Sequence, residues 1–264
     1  MNKLFILLAT AIFFLASCHS TRHIQTAILP PDELFATLLP QHFFLYKPRD
    51  TVSGDIYWLA QREPFIIVAA ADCTGHGVPG AFMSLLGITF LNEIVSKYSV
   101  ELQNVSQIRA NEILNLRREK VIKTLHQIGK EGEAKDGMDI SLCIIDTADM
   151  EMQFAGANNP LYVIASASED VSASDSEAIS NPSPPVRNDE FLFTEIKGDK
   201  MPIGIHMKFN ASFTNNKFAI HNGDTFYITT DGYEDQFGGP NGKKFKKAQL
   251  KKLLVSMQEK SMPE

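Results

Sequence analysis

The pattern of hydrophobic and polar positions predicts a hairpin followed by two helices in the first half of the chain. Two β-rich runs, residues 56–60 and 65–71, flank a short polar turn, as the strands of a hairpin do. Residues 81–95 are apolar nearly all round, which predicts a buried helix beginning near Pro79. Apolar side chains at helical spacing predict a second helix over residues 107–128, with Arg and Lys between them.

From Asp139 onward the pattern returns to strands. Six are predicted, over residues 140–145, 150–154, 161–164, 191–196, 217–220 and 224–229. Segregated helices and largely antiparallel strands indicate a layered α+β domain. Between residues 165 and 190 the chain is mostly Ser, Ala, Asp, Glu, Asn and Pro, which predicts a disordered surface loop within that domain.

Composition adds few constraints. The chain has 264 residues, of which 44% are hydrophobic, as expected for one globular domain with a sizeable core. A net charge of −6 and the lack of a Lys/Arg stripe argue against nucleic acid as a partner, and we interpret the lysine doublets between residues 243 and 252 as a solvated helix face. Only Cys73 and Cys143 lie beyond residue 18, so no disulfide framework is predicted.

The N-terminal residues form a segment distinct from the predicted globular domain. Lys3 precedes an apolar run over residues 4–16 that is short for a transmembrane helix, which predicts a secretory signal over residues 1–18 and a lead-in segment over 19–39. The ending Ser17-Cys18 resembles a bacterial lipobox, so we expect a lipoprotein anchored to the membrane outside the cytoplasm. The alternative is a short membrane anchor or the remnant of a longer protein, and a remnant would allow a cytoplasmic domain.

Three aspartates at strand ends carry the candidate chemistry. Asp72 follows the apolar run 65–71, Asp231 follows the run 226–230, and Asp55 follows Gly54. An unpaired carboxylate at the rim of a core costs folding free energy unless a cation meets it. The neighbouring glycines let the backbone come close to such a cation. Oxygen ligands of this kind suit magnesium or manganese better than zinc. The sequence therefore predicts a carboxylate metal site.

The glycines between Gly75 and Gly80 also fit a different class of site. Their spacing matches the Gly-x-Gly-x-x-Gly fingerprint of dinucleotide-binding proteins. Two helices follow here instead of a parallel strand, and Asp72 would repel a pyrophosphate unless a metal intervened. We therefore reject this alternative on the sequence alone.

Taken in order, the motifs resemble those of SpoIIE-type phosphatases, which belong to the PPM class of metal-dependent Ser/Thr protein phosphatases. The resemblance covers about residues 25–255. Even Gln25-Thr-Ala-Ile-Leu-Pro30 is similar to the helical lead-in that joins this domain to upstream sensor modules. The motifs are Ser53-Gly-Asp55-Ile-Tyr-Trp58, Asp72-Cys-Thr-Gly-His-Gly-Val-Pro-Gly-Ala81, Gly156-Ala-Asn-Asn-Pro160, Met201-Pro-Ile-Gly204 and Asn222-Gly-Asp-Thr-Phe-Tyr-Ile-Thr-Thr-Asp-Gly232.

The resemblance implies an α-β-β-α sandwich over residues 40–264, in which two antiparallel sheets carry flanking helices and a two-metal site lies at one end. It implies that Asp55, Asp72 and the backbone carbonyl of Cys73 hold one Mn²⁺ or Mg²⁺ ion. Asp72, as a bridge, and Asp231 would hold the second ion. The two ions would activate a shared water that hydrolyses phosphoserine or phosphothreonine in a bacterial signalling pathway.

Two further residues have weaker assignments. Arg49 is a candidate for contact with the substrate phosphate, although a lone arginine in a polar stretch is more often solvated. Asp139 opens a core strand, and we assign it a structural or supporting role behind the metal ligands. His76 is interpreted as a turn residue because hard cations prefer oxygen.

The resemblance departs from the family at the C-terminal end. Family members finish with a helix and a core strand bearing an Asp-Asp pair, and no such pair follows Gly232. We therefore expect the last core strand to be missing and activity to be lowered, or the chain to be a noncatalytic module that binds a partner without turnover. In signalling members the substrates are often phosphorylated anti-sigma-factor antagonists, so a phosphoprotein of that kind is the expected partner.

Overall fold

The computed structural model describes residues 22–100, 108–130, 135–166, 186–187, 191–207, 210–238 and 242–258. The predicted signal over residues 1–18 lies outside these ranges. The helices are α1 (residues 22–28), α2 (Asp32–Leu38), α3 (Gly77–Val100), α4 (Ala110–Thr124) and α5 (Lys247–Ser256). The strands are β1 (Ile56–Arg62), β2 (Phe65–Cys73), β3 (Met138–Asp146), β4 (Glu151–Ala157), β5 (Leu161–Ser166), β6 (Val186–Arg187), β7 (Phe191–Ile196), β8 (Asn216–Ala219), β9 (Thr225–Ile228), β10 (Phe237–Gly238) and β11 (Lys243–Lys244).

The strands form two main sheets. The first has the order β1-β2-β3-β4-β8, the second has the order β6-β7-β5-β9, and β10 and β11 pair separately. All the strand pairs are antiparallel. The predicted hairpin is the β1–β2 pair, in which Ile56 lies opposite Ala71. A dinucleotide fold needs parallel strands around the glycine turn, so the structure also excludes that alternative.

The two sheets pack face to face, with helices on the outside. Apolar side chains of β3 and β4, such as Phe154, meet those of β5 and β7, such as Leu161, between the sheets. On the outer face of the first sheet, α3 and α4 pack through residues such as Leu91 and Leu114. On the outer face of the second sheet, α5 packs through Leu250 and Leu254. The predicted α-β-β-α sandwich is confirmed.

The helix α3 is a core element. It begins at Gly77, slightly before the predicted start near Pro79. Within the described residues, its stretch Gly77–Tyr98 is the one helix long and apolar enough to cross a membrane, but half of that stretch is buried inside the fold. Burial against α4 and the first sheet accounts for its apolar composition without a membrane.

Two sequence predictions need correction. The range 165–190, predicted as a loop, begins with the end of β5 and contains β6, whose backbone pairs with β7; residues 167–185 and 188–190 lie outside the described ranges. The lysines near the C-terminus are not simply a solvated face. Lys247 and Lys251 of α5 reach the buried carboxylate of Glu195, at 3.1 Å and 2.8 Å, because that carboxylate needs cationic partners.

Candidate metal centre

Alternation along the strands directs three of the aspartates to one side of the first sheet. In β2, Ala69, Ala71 and Cys73 contact the helix layer, so Asp72 faces the second sheet. The same alternation from Ile56 places Asp55 on that side, and the alternation from Ile140 places Asp139 there. Asp139 is also the direct partner of Asp72 across the β2–β3 pair. The three carboxyls therefore occupy one face at one end of the sheet.

The segment after β9 brings the second sheet to the same end. The Thr230 hydroxyl donates a hydrogen bond to Asp55 Oδ2 at 3.1 Å. A side chain added at Gly232 would meet the same oxygen at 3.4 Å, so Gly232 also lies beside Asp55. Asp231 is held between these two residues and acts electrostatically on Asp55, Asp72 and Asp139.

A close backbone approach fixes the loop that carries Asp55. At Gly54, a Cβ atom would lie 2.7 Å from the carbonyl oxygen of Cys73 and 2.8 Å from that of Gly75. No residue but glycine fits there without displacing the backbone. This contact holds Asp55 next to the end of β2, where the Cys73 carbonyl is also located.

Burial, and after it the neighbouring carboxylates, disfavour ionisation of the clustered aspartates. Burial raises the pKa of Asp72 to about 8, with further contributions from the charges of Asp55 and Asp231. Burial also raises the pKa values of Asp55 and Asp139. Protonated Asp72 donates a hydrogen bond to Asp55, and the Asn158 amide donates to Asp139 Oδ1 at 2.8 Å. Among the described residues, no basic side chain is a cause of these three shifts, so nothing offsets the effect of burial and of the neighbouring carboxylates except hydrogen bonds.

This donor set fits a hard divalent cation. It consists of carboxylate oxygens with amide and hydroxyl groups behind them, which are the ligands that Mg²⁺ and Mn²⁺ prefer. Among the described residues, no three His, Cys, Asp or Glu side chains already converge closely enough to enclose an ion. The direct carboxyl contact is the Asp55–Asp72 pair, and Asp139 and Asp231 act on it by charge.

The remaining predicted residues have different surroundings. Arg49 is exposed, and no contact among the described residues joins it to the carboxylates, so its phosphate role stays a prediction. His76, in the turn after β2, has its Nδ1 atom 3.3 Å from Oδ2 of Asp50, and both side chains are exposed. Two supporting residues were missed from the sequence, Thr230 and Asn158, although both lie inside the quoted motifs. The sequence held a signal for both: Thr230 directly precedes Asp231, and Asn158 directly follows β4.

Comparison with known families decides the assignment. The family model for Stage II sporulation protein E (SpoIIE) matches residues 65–264, which is most of the chain. The chain belongs to the SpoIIE family. No curated protein matches the SpoIIE-family chain significantly.

Solved structures agree with the family. The SiaA-PP2C domain of Pseudomonas aeruginosa is 27% identical, with a TM-score of 0.74 over 97% of this chain and 87% of that one. The RsbU and RsbW domains of Rv1364c from Mycobacterium tuberculosis give 18% identity and a TM-score of 0.52 over 81% of this chain and 48% of theirs. The PP2C domain and regulatory fragment of Bacillus subtilis SpoIIE give 18% identity and a TM-score of 0.50 over 77% of this chain and 47% of theirs. The SpoIIE-family chain therefore has the fold of a PP2C-type protein phosphatase.

Proposed function

We propose that the chain is a Mn²⁺- or Mg²⁺-dependent protein serine/threonine phosphatase. The observation that supports this most strongly is the gathering of the Asp55, Asp72, Asp139 and Asp231 carboxyls at one end of the two sheets. Membership of the SpoIIE family supports phosphatase chemistry in general. The 27% identity to the SiaA-PP2C domain extends that support over nearly the whole chain.

In this proposal Asp55, Asp72 and the Cys73 carbonyl would hold one ion, and Asp72 and Asp231 would hold the second. When bound, a pair of such ions supplies a water of lowered pKa and neutralises charge on the phosphoryl oxygens. The protein's own contribution is to keep these oxygens at one end of the sandwich. Thr230 orients Asp55 through its hydroxyl, and Asn158 orients Asp139 through its amide.

Proton release from Asp72 is the step that this chain must accomplish to load the site. Burial raises the pKa of Asp72 to about 8, so its carboxyl retains a proton at neutral pH until a cation binds. Carboxylates bind cations in the deprotonated form, so this proton leaves to solvent as the site is loaded.

The proposed substrate is a phosphorylated protein, with an anti-sigma-factor antagonist as the class that the family resemblance implies. Attachment to the membrane through a lipidated Cys18 is a separate proposal that concerns residues outside the described ranges. It rests on the signal-like pattern of residues 1–18 alone. An extracytoplasmic location would require a substrate other than a cytoplasmic antagonist.

Hydrolysis of a phosphothreonine peptide tests the proposed function. We expect turnover by the wild-type chain that depends on added Mn²⁺ and is removed by a chelator. Asp72→Asn should lower kcat/KM by at least about 100-fold, because it removes a shared ligand. The matched control is Asp149→Asn, which changes an exposed turn residue after β3 and should leave turnover unchanged.

Two results would contradict the proposal. One is turnover that is the same with and without divalent cation. The other is a folded wild-type chain that hydrolyses no phosphopeptide at any Mn²⁺ concentration but still captures phosphoprotein, which would support the alternative of a partner-binding module. The comparisons do not favour that alternative, since the family and the SiaA-PP2C domain indicate a phosphatase.

A further inference from the structure

Gln25 on α1 makes three hydrogen bonds that reach the edge of the carboxylate site. Its side chain is buried, with 6% of its surface exposed. Its Nε2 donates to the carbonyl oxygen of Ser53 at 2.6 Å and to the hydroxyl of Ser84 on α3 at 3.0 Å. Its Oε1 accepts from the backbone N–H of Ser53 at 2.9 Å. One amide side chain thus satisfies both backbone groups of Ser53.

Ser53 is in turn hydrogen-bonded to Asp55, so the position of Ser53 restricts the position of Asp55. The Ser53 hydroxyl accepts a hydrogen bond from the backbone N–H of Asp55 at 3.0 Å. Gly54, between them, is pressed against the carbonyl of Cys73. The loop is therefore held from one side by Gln25 and from the other by the end of β2. Residues 42–55 contain no helix or strand, so these contacts fix the loop in the absence of helix or sheet hydrogen bonds.

The segment that carries Gln25 is itself attached to the core. Leu29, four residues after Gln25, is 7% exposed and packs in the largest apolar cluster. Leu29 directly follows the last residue of α1, so its apolar contact and the polar contact of Gln25 hold the same short segment against the core. Ile24 is largely exposed and does not share in this attachment.

We propose that Gln25 is a positioning residue for Asp55, and that α1 thereby sets the affinity of the site for divalent cations. This inference rests on the proposed function. Without the Gln25 side chain, the buried N–H and C=O groups of Ser53 lose their partners, and the loop moves to recover hydrogen bonds. Asp55 is then no longer held where an ion needs it. The expected result is weaker metal binding with little change in the chemistry once the metal is bound.

The test is calorimetric titration of Mn²⁺ into the whole chain, with the wild type compared with Gln25→Leu, which keeps the approximate size but makes no hydrogen bonds. We expect the dissociation constant for Mn²⁺ to rise about tenfold, in the range found for residues that orient metal ligands. At saturating Mn²⁺, kcat for a phosphopeptide should stay within about twofold of the wild type. The matched control is Thr26→Ala, since within the part of the chain that the structure describes the exposed Thr26 hydroxyl donates inside α1, to the carbonyl of Arg22 at 3.0 Å.

A second variant keeps the test valid if the leucine substitution prevents folding. Gln25→Glu retains the acceptor for the Ser53 N–H and loses the donor to the Ser53 carbonyl, so its Mn²⁺ affinity should fall below that of the wild type. Equal Mn²⁺ affinity of a folded Gln25 variant and the wild type would overturn this inference, whatever happens to the melting temperature. Failure of the wild type itself to bind Mn²⁺ would overturn the proposed function, and the inference with it.

Discussion

Asp139 lies directly opposite Asp72 across the antiparallel pair of β2 and β3. Both carboxyls project to the same side of the sheet, and like charges in that arrangement oppose folding. Asn158 supports Asp139 with a hydrogen bond, yet burial and the charge of Asp231 still raise its pKa. The two carboxyls therefore destabilise the fold at this end of the β2–β3 pair, and a bound cation would offset their repulsion.

Substitution of Asp139 by Asn should stabilise the metal-free protein at high pH. The pKa of Asp139 is raised above its ordinary value of 3.8, so the folded protein keeps a proton that the unfolded chain has already released. The loss of stability caused by Asp139 is absent below the unfolded-state pKa of 3.8. It grows as the pH rises from that value through the higher pKa of the folded protein. At pH 8 with chelator, urea denaturation of Asp139→Asn should show a gain of about 0.2–1 kcal/mol in the free energy of unfolding.

The same substitution should weaken Mn²⁺ binding, because it removes one negative charge next to Asp72. At pH 3, Asp139 is protonated in both the folded and the unfolded protein, so the gain in the free energy of unfolding should disappear. A variant that is less stable than the wild type at pH 8 would show that Asp139 is held by attraction rather than repulsion.

The contact at Gly54 predicts a sharp steric effect. In Gly54→Ala, the new methyl group would meet two backbone carbonyl oxygens, of Cys73 and Gly75, neither of which can move alone. We expect a loss of about 1–3 kcal/mol in the free energy of unfolding, together with weaker Mn²⁺ binding. The matched control is Gly238→Ala, where an added Cβ meets nothing within 4 Å and stability should change little.

If Gly54→Ala were as stable as the wild type and bound Mn²⁺ equally well, the loop would have room that the structure does not show. The carbonyl of Cys73 would then be a poor candidate for a metal ligand. Urea denaturation and Mn²⁺ titration on the same two variants give both quantities.

Arg117 on α4 is an unusual core residue. Its side chain is fully buried, and none of its three nitrogens has a hydrogen-bond partner among the described residues. Burial lowers its pKa to about 10, and one nitrogen is packed closely against Gly87 of α3. A buried charge without partners is a stability cost.

We expect Arg117→Met to raise the free energy of unfolding by about 1–3 kcal/mol, because an apolar chain of similar length replaces the unpaired charge. Chemical denaturation of the metal-free protein measures this change. Arg117→Ala is the control for shape, since it removes the charge and also leaves a cavity, and it should be less stable than Arg117→Met. A methionine variant less stable than the alanine variant would contradict this account.

Local sequence patterns were sufficient for most of the secondary structure. Alternating and buried runs predicted β1, β2 and β3 because the side-chain period of a strand is visible in a few residues. The stretch that became α3 was recognisable because it is apolar on all sides. The motifs also predicted that Asp55, Asp72 and Asp231 would lie at one end of a sandwich.

The contacts that depend on distant parts of the chain were not predictable in the same way. The position of Asp139 opposite Asp72 depends on the register of β2 and β3, which no local pattern specifies. The helical spacing predicted Arg and Lys between the apolar residues of α4, but it did not show that Arg117 is buried. The role of Lys247 and Lys251 could not be seen without Glu195, which comes from β7.

We propose that Asp55, Asp72 and Asp231 form a divalent-metal site that displaces a proton from Asp72 as the cation binds. Calorimetric titration of Mn²⁺ at pH 6.5, repeated in buffers with different heats of ionisation, counts the protons released on binding. Because burial raises the pKa of Asp72 to about 8, Asp72 is protonated at that pH. We expect saturable Mn²⁺ binding by the wild type with release of about one proton, and loss of both in Asp72→Asn. Absence of Mn²⁺ binding, or binding with the same proton release in Asp72→Asn, would contradict it.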